Sequence, residues 1–157
     1  MIGYFERDIK PAIVLIDRSL ELNPSYALGW FRSGWLRLWA GQIDLGIEHF
    51  ENSRRLNPLR PGPPSFGVAV GDFFAGRLER AVVMLRLSVQ ENPTWPPCYR
   101  FLASCCAHLG DLDEARAILK RLRDITPSII PEAEHWRVPE QREFFLEGLR
   151  LAVGETK

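Results

Sequence analysis

Gly41-Gln42-Ile43-Asp44-Leu45-Gly46 is followed, after a helix-length stretch, by Asn57-Pro58, and the arrangement repeats along the chain. The hexapeptide returns as Gly76-Arg77-Leu78-Glu79-Arg80-Ala81 ahead of Asn92-Pro93, and as Gly110-Asp111-Leu112-Asp113-Glu114-Ala115 ahead of Thr126-Pro127. A degenerate copy without the glycine, Arg7-Asp8-Ile9-Lys10-Pro11-Ala12, precedes Asn23-Pro24. The four prolines are 34, 35 and 34 residues apart. A fixed period of this length signals stacked supersecondary units.

Each part of the motif has a physical task. The glycine can adopt the left-handed conformation that ends a helix. The acidic residue then falls in the first turn of the next helix, where the macrodipole favours it. The small residue (Gly46, Ala81 or Ala115) lets two helices approach closely. A large apolar residue four positions on (Phe50, Leu85 or Leu119, with Ile16 in the partial copy) shares its helix face. The proline ends the second helix, because the residue before it disfavours the helical region.

These residues resemble the tetratricopeptide repeat (TPR), whose pattern is Trp-x2-Leu-Gly-x2-Tyr, then Ala-x3-Phe, then Pro. The first complete copy reads Trp30-x2-Ser33-Gly34-x2-Arg37, Gly46-x3-Phe50, Pro58. The second reads Ser65-x2-Val68-Ala69-x2-Asp72, Ala81-x3-Leu85, Pro93. The third reads Tyr99-x2-Leu102-Ala103-x2-Cys106, Ala115-x3-Leu119, Pro127. Ser33, Arg37 and Asp72 are more polar than the family pattern, which leaves their packing to be explained. The resemblance covers roughly residues 8 to 127 and implies an all-α fold: a TPR α-solenoid of antiparallel helix pairs with a C-terminal capping helix.

Helices are expected near 6–22, 25–40, 43–56, 64–75, 78–91, 95–109 and 112–125. The solenoid spans 1–127, as a partial repeat 6–24 and repeats 25–58, 59–93 and 94–127. The stiff Pro61-Gly62-Pro63-Pro64 should absorb the extra residue of the second period and delay the next helix. The first helix resembles the second half of a repeat, so the chain is a piece of a longer one or a partner covers that side. It carries Ile9, Ala12, Ile13, Ile16 and Leu20 on one side, from which self-association, a possible homo-oligomer, is expected. Residues 128–157 form a linker and capping helix: 128–138 breaks the period, and Pro139 opens a helix near 140–152 with a stripe of Phe144, Phe145, Gly148, Leu149 and Ala152.

The 157 residues fit one domain, and 46% hydrophobic with 25% charged residues is ordinary for a globular chain. Twenty basic residues balance twenty acidic ones. No basic excess points to nucleic acid, and Arg54-Arg55 and Arg121/Arg123 read as solvated helix faces. Cys98, Cys105 and Cys106 are no disulfide framework, which implies a reducing compartment. No apolar run approaches the ~20 residues that span a bilayer, and Met1–Lys10 lacks a signal peptide's apolar core. The expectation is a cytoplasmic protein with no membrane insertion.

Chemical motifs are absent from the sequence. It holds no Gly-x-Gly-x-x-Gly, no phosphate-loop Gly-Lys-Ser/Thr and no His-Glu-x-x-His. Cys106 and His108 are two apart and point in different directions on one helix. Cys105-Cys106 reads as helix filling and His49 as a surface residue beside Phe50. No catalytic residue, metal site or cofactor is expected, the alternative being an enzyme with an unrecognised site.

A narrower resemblance rests on Ser33-Gly34-Trp35, Ala40-Gly41, Ile47-Glu48-His49-Phe50-Glu51, Phe73-Phe74-Ala75-Gly76-Arg77 and Glu147-Gly148-Leu149-Arg150. These are similar to the C-terminal TPR region of bacterial class III adenylate cyclases. Similar arrays follow winged-helix transcriptional regulators. The resemblance implies a regulatory module of a larger signalling protein, with any cyclization residing outside this chain.

TPR arrays bind protein or peptide on a concave face lined by the first helix of each pair. Carried onto this sequence, the inward positions are Leu28, Phe31, Trp35, Leu38 and Trp39 in the first complete repeat. They are Phe66, Val70, Phe73 and Phe74 in the second, and Arg100, Ser104, Ala107 and His108 in the third. The packing stripe of Trp30, Ser33, Gly34 and Arg37 is distinct. One part of the groove is thus aromatic and the other polar. The alternative is that the aromatics are core, but two stripes on one helix are hard to bury in a two-helix layer. The occupant could be a peptide, a neighbouring subunit or the chain's own C-terminal helix. Phe31 and Trp35 stand where clamps for chaperone tails carry Lys and Asn, so a C-terminal carboxylate is not the expected ligand.

Overall fold

The structure is a computed structural model that describes residues 8–59 and 62–154, with backbone alone at 62–64. Among the described residues the chain forms eight α-helices and no strand. They are α1 (Ile9–Leu22), α2 (Ala27–Trp39), α3 (Ile43–Leu56), α4 (Gly62–Phe74), α5 (Leu78–Glu91), α6 (Pro96–His108), α7 (Leu112–Arg123) and α8 (Pro139–Val153). Residues 6 and 7 of the expected first helix, Arg7 of the degenerate motif and Pro61 of the stiff turn lie outside the described residues. The expected delay of α4 does not occur: the helix begins at Gly62, with Pro63 and Pro64 in its first turn, where a missing N–H costs nothing.

The three glycines set the period by one repeated turn. Gly41, Gly76 and Gly110 have φ of 81°, 75° and 85°. The N–H of each reaches back to a carbonyl three residues earlier (Leu38, Phe73 and Ala107). The next N–H reaches five residues back, from Gln42 to Arg37, Arg77 to Asp72 and Asp111 to Cys106, at 2.8–2.9 Å. This is the Schellman ending, which satisfies carbonyls that a helix terminus would leave without partners.

The same turns explain two of the three polar departures from the family pattern. Arg37 and Asp72 stand at the residue whose carbonyl closes the turn, and their side chains hold the residue after the glycine. Arg37 donates through Nη1 to Gln42 Oε1 at 2.6 Å, and its Nη2 reaches both carboxylate oxygens of Asp17 on α1. Asp72, fully buried, accepts from Arg77 Nε at 2.6 Å, with Arg80 3.4 Å from its other oxygen. Where the motif asks for a tyrosine, these repeats use ions and amides to pin the next helix.

Neighbouring helices pack in chain order from α1 to α7, and α4 also touches both α2 and α6 along the inner side. Phe50 of α3 is wedged between α2 and α4. A Cβ on Gly34 would lie 2.8–2.9 Å from its ring, and one on Gly67 about 2.5 Å from both ring edges. Leu85 and Leu119, at the corresponding motif positions, are buried, as are Ala69 and Ala103.

Two expectations are corrected here. His49 is buried, not on the surface: its Nδ1 lies 2.9 Å from Ser33 Oγ, and the Trp30 ring meets it edge-on at 4.8 Å. Ser33 is thus the polar partner of a second-helix histidine. Leu38 is fully buried, not inward-facing. It packs on Gly46 and lies near Gly71, at the junction of α2, α3 and α4. On α1, Ala12 and Leu20 are buried, while Val14 and Leu15 remain 67% and 64% exposed.

Gly67→Ala should lower the thermal midpoint. The methyl group gains up to about 1 kcal/mol of helix propensity, but overpacking an enclosed ring costs about 1–3 kcal/mol. A midpoint raised by the substitution would mean that the Phe50 slot can relax.

Acid should destabilise the fold through His49. Burial, then the positive charge of Arg37, lowers its pKa from the usual value, Glu48 and Asp17 acting weakly the other way. The unfolded chain therefore binds the proton first. The stability from neutral His49 is whole above about pH 6.5 and declines as pH falls below it. The loss in urea midpoint from about pH 7.5 to 5.5 should be larger for wild type than for His49→Gln; equal losses would exclude the histidine.

Candidate functional site

The inner face is built from α2, α4 and α6, and it divides along the length of these helices. Along α2 and toward the N-terminal ends of α4 and α6 it is an aromatic surface. On α2, Phe31 meets Trp35 edge-on at 6.4 Å, and Trp35 tilts against Trp39 at 6.2 Å. Trp35 also meets Phe66 of α4 at 5.7 Å, and Phe66 meets Trp95, just before α6, at 4.7 Å. Phe66 is buried; Phe31, Trp35 and Trp39 are half-buried; Leu28 and Trp95 are 45% and 40% exposed. Leu28, Phe31, Trp35 and Trp95 therefore form one apolar patch with Phe66 beneath it.

Toward the C-terminal ends of α4 and α6 the face is occupied by the chain itself. Residues 128–138 cross it, and α8 lies mainly on α6, with a smaller contact on α7. Arg100 donates to the carbonyls of Ser128 and Ile129, at 2.5 and 3.1 Å. Ser104 Oγ donates to Phe145 O at 3.0 Å. His108 Nε2 lies 2.7 Å from Phe144 O; a carbonyl can only accept, so this nitrogen carries the proton. The Arg137 N–H donates to Trp39 O at 3.0 Å.

Aromatic contacts fill the space between these polar ones. Trp136 is buried, 4.5 Å from Phe74 and 5.9 Å from Phe101 between ring centres. Phe145 stacks on Phe101 at 4.4 Å, and Phe144 stacks on His108 at 3.8 Å and lies 5.0 Å from Phe73. Gly148 permits the approach, since a Cβ there would stand 2.7 Å from the Ser104 carbonyl oxygen and 2.9 Å from His108 Cδ2. Two atoms of the segment are left over: the buried Trp136 Nε1 and Gln141 Oε1 have no hydrogen-bond partner. An unmet buried donor costs about 1–3 kcal/mol.

The expected groove residues thus fall into three groups. Leu28, Phe31, Trp35 and Trp39 share the accessible aromatic region. Phe73, Phe74, Arg100, Ser104 and His108 meet the C-terminal segment. Leu38 and Val70 are buried in the core, with Phe66 as a buried floor. Trp30 and Trp35 do not separate cleanly into core and groove. Both are half-buried, and the Trp30 indole N–H is tied to Pro24 O at 2.8 Å.

Sequence reasoning missed Trp95 and Trp136. Trp95 sits at the start of its helix, outside the inward stripe. Trp136 lies where the period breaks. Its signal was a lone tryptophan between Ile129-Ile130 and Phe144-Phe145, in a stretch that no repeat explains.

Among the described residues no cluster of His, Cys, Asp and Glu could hold a metal ion. Burial pushes the thiols of Cys98 and Cys105 up to about 12 and that of Cys106 to about 11. All three cysteines are buried and protonated, and so poor nucleophiles. No described helix is long and apolar enough to cross a membrane.

Residues 75–135 match the tetratricopeptide-repeat family model. No curated protein sequence matches the chain. Among solved structures, a crystal structure of MamA is similar over 97% of this chain and 91% of its own, with 15% identity and a TM-score of 0.69. TTC0263, a thermophilic TPR protein in Thermus thermophilus, gives 97% and 78% coverage, 21% identity and a TM-score of 0.69. YrrB, described as a TPR protein with an unusual peptide-binding site, gives 96% and 79%, 20% and 0.63. The fold is a TPR α-solenoid.

In this TPR solenoid α8 closes the array from the inside. A further repeat would stack mainly on α7, whereas α8 lies mainly on α6, and its Phe144 reaches Phe73 of the second pair. The cysteines of α6 sit beneath these layers. A thiol-specific reagent at mildly alkaline pH should leave all three unlabelled in the folded TPR solenoid and label all three in denaturant. Rapid labelling of any one without unfolding would contradict the burial described above.

Proposed function

We propose that this chain is a protein-interaction module that binds a peptide or helix of another protein on the aromatic half of its inner face. The observation that carries this reading is the patch of Leu28, Phe31, Trp35 and Trp95 over Phe66, left accessible beside a region that the chain covers with its own segment. Aromatic rings offer large apolar area at small conformational cost and dominate binding hot spots. Trp39 and His135, 5.7 Å apart and edge-on, border the patch where it meets the C-terminal segment. The solenoid fold supports the reading, since its inner helices present a continuous surface to a ligand.

The cellular setting we infer is regulatory. The short segments from Ser33-Gly34-Trp35 to Glu147-Gly148-Leu149-Arg150 resemble the TPR region of bacterial class III adenylate cyclases, and this resemblance is the support for a module of a larger signalling protein. A reading frame that continues into a cyclase domain would bear this out, and one that continues into an unrelated domain would end it.

The binding reading is tested at its two most exposed apolar residues. Trp95→Ala and Leu28→Ala should each weaken a partner isolated with the wild-type chain by about tenfold or more, where each tenfold is worth about 1.4 kcal/mol. The thermal midpoint should shift little, because both side chains are already partly in solvent. Unchanged affinity in both variants would move the binding site elsewhere.

A further inference from the structure

We propose that residues 128–154 are a displaceable internal ligand, and that the half of the groove they occupy takes in their place a partner segment of the same chemistry. That chemistry is a buried tryptophan followed, eight and nine residues on, by two phenylalanines on the first turns of a helix. The inference rests on the reading of the inner face as a recognition surface.

The contacts are those of a bound peptide more than those of another repeat. Arg100, Ser104 and His108 all act on main-chain oxygens of the segment: Ser128, Ile129, Phe145 and Phe144. Contacts to main-chain atoms do not depend on which side chains the segment carries. Selectivity comes from the places filled by Trp136, between Phe74 and Phe101, and by Phe145, stacked on Phe101. The occupant also fits imperfectly. Trp136 Nε1 and Gln141 Oε1 are buried without hydrogen-bond partners. A partner whose tryptophan finds an acceptor would hold the same place with one group fewer unsatisfied. The surface is continuous with the accessible patch: Trp39 packs on Trp35, and its carbonyl oxygen accepts from Arg137 of the segment. A partner on the aromatic half would lie directly beside the segment's edge.

Tethering gives the segment an effective concentration of roughly millimolar order, so a competitor must overcome it. Gly148→Leu removes that advantage without altering the groove. A side chain there meets Ser104 and His108, lifting α8 while favouring its helix. The probe is a labelled synthetic peptide of residues 128–154 with the native sequence. It should bind the full-length Gly148→Leu chain at least tenfold more tightly than wild type. Equal binding to both chains, or binding to neither up to millimolar peptide, would overturn the proposal. Hydrogen exchange on the wild-type chain decides the matter even if Gly148→Leu does not fold. Amides of 139–153 should exchange through an opening that leaves α4 and α6 protected; exchange only in step with those helices would make the segment a fixed part of the fold. A wild-type dimer with each segment in the other copy's groove would overturn the assignment to a foreign partner. Trp95→Ala separates the two readings. If it abolishes partner binding while the peptide experiment fails, the recognition surface stands and the displaceable ligand falls. If the peptide experiment succeeds while Trp95→Ala and Leu28→Ala change nothing, the aromatic patch falls alone.

Discussion

The ring of Phe50 between Gly34 and Gly67 sets the spacing on which the inner face depends. Three helices meet at a distance that a single added carbon would disturb. Protein interiors are packed too densely for such an intrusion to go unfelt. The consequence reaches the surface directly. Phe50 lies 5.1 Å from Trp35 and 5.8 Å from Phe31, so two aromatics of the accessible patch rest on the residue that fixes the helix spacing. Recognition and stability are not separate layers here, and the patch keeps its shape because the core beneath it does.

Polar groups carry the second structural theme. The repeats depart from their family's pattern at three positions, and each departure has a partner. Ser33 meets His49, Arg37 meets Asp17 and Gln42, and Asp72 meets Arg77 and Arg80. Buried polar groups are tolerable when their hydrogen bonds are met and expensive when they are not. The Arg37 and Asp72 arrangements also act at the turn between helices, where they define the direction in which the next helix sets out.

Much of this was legible in the sequence, for a physical reason. The glycine, acidic residue, small residue and proline each act locally, so a spacing of about 34 residues suffices to place seven helices, and Pro139 announces the eighth. The burial of His49 was not legible, because it depends on Ser33 and Trp30 of the preceding helix and on no pattern within its own. Leu38 was assigned to the groove by its helical phase, but phase does not reveal that Gly46 and Gly71 leave a hollow on its side. Trp136 lies in a stretch with neither helical nor alternating periodicity. Only the folded arrangement shows that it reaches Phe74 and Phe101.

An array of stacked helix pairs normally has the thermodynamics of a one-dimensional chain, in which each unit feels only its neighbours and the ends fray independently. Residues 128–154 alter that connectivity. From beyond the third pair, the segment touches Trp39 of the first through Arg137 and His135, Phe74 of the second through Trp136, and Phe101 of the third through Phe145. It closes a circuit around an otherwise open series. Through these contacts, melting of one pair should be communicated to the others, and the array should unfold as a single cooperative unit. Without these contacts, the same helices should show the graded, end-first unfolding of an ordinary solenoid, so one segment's contacts set how many parts the molecule has.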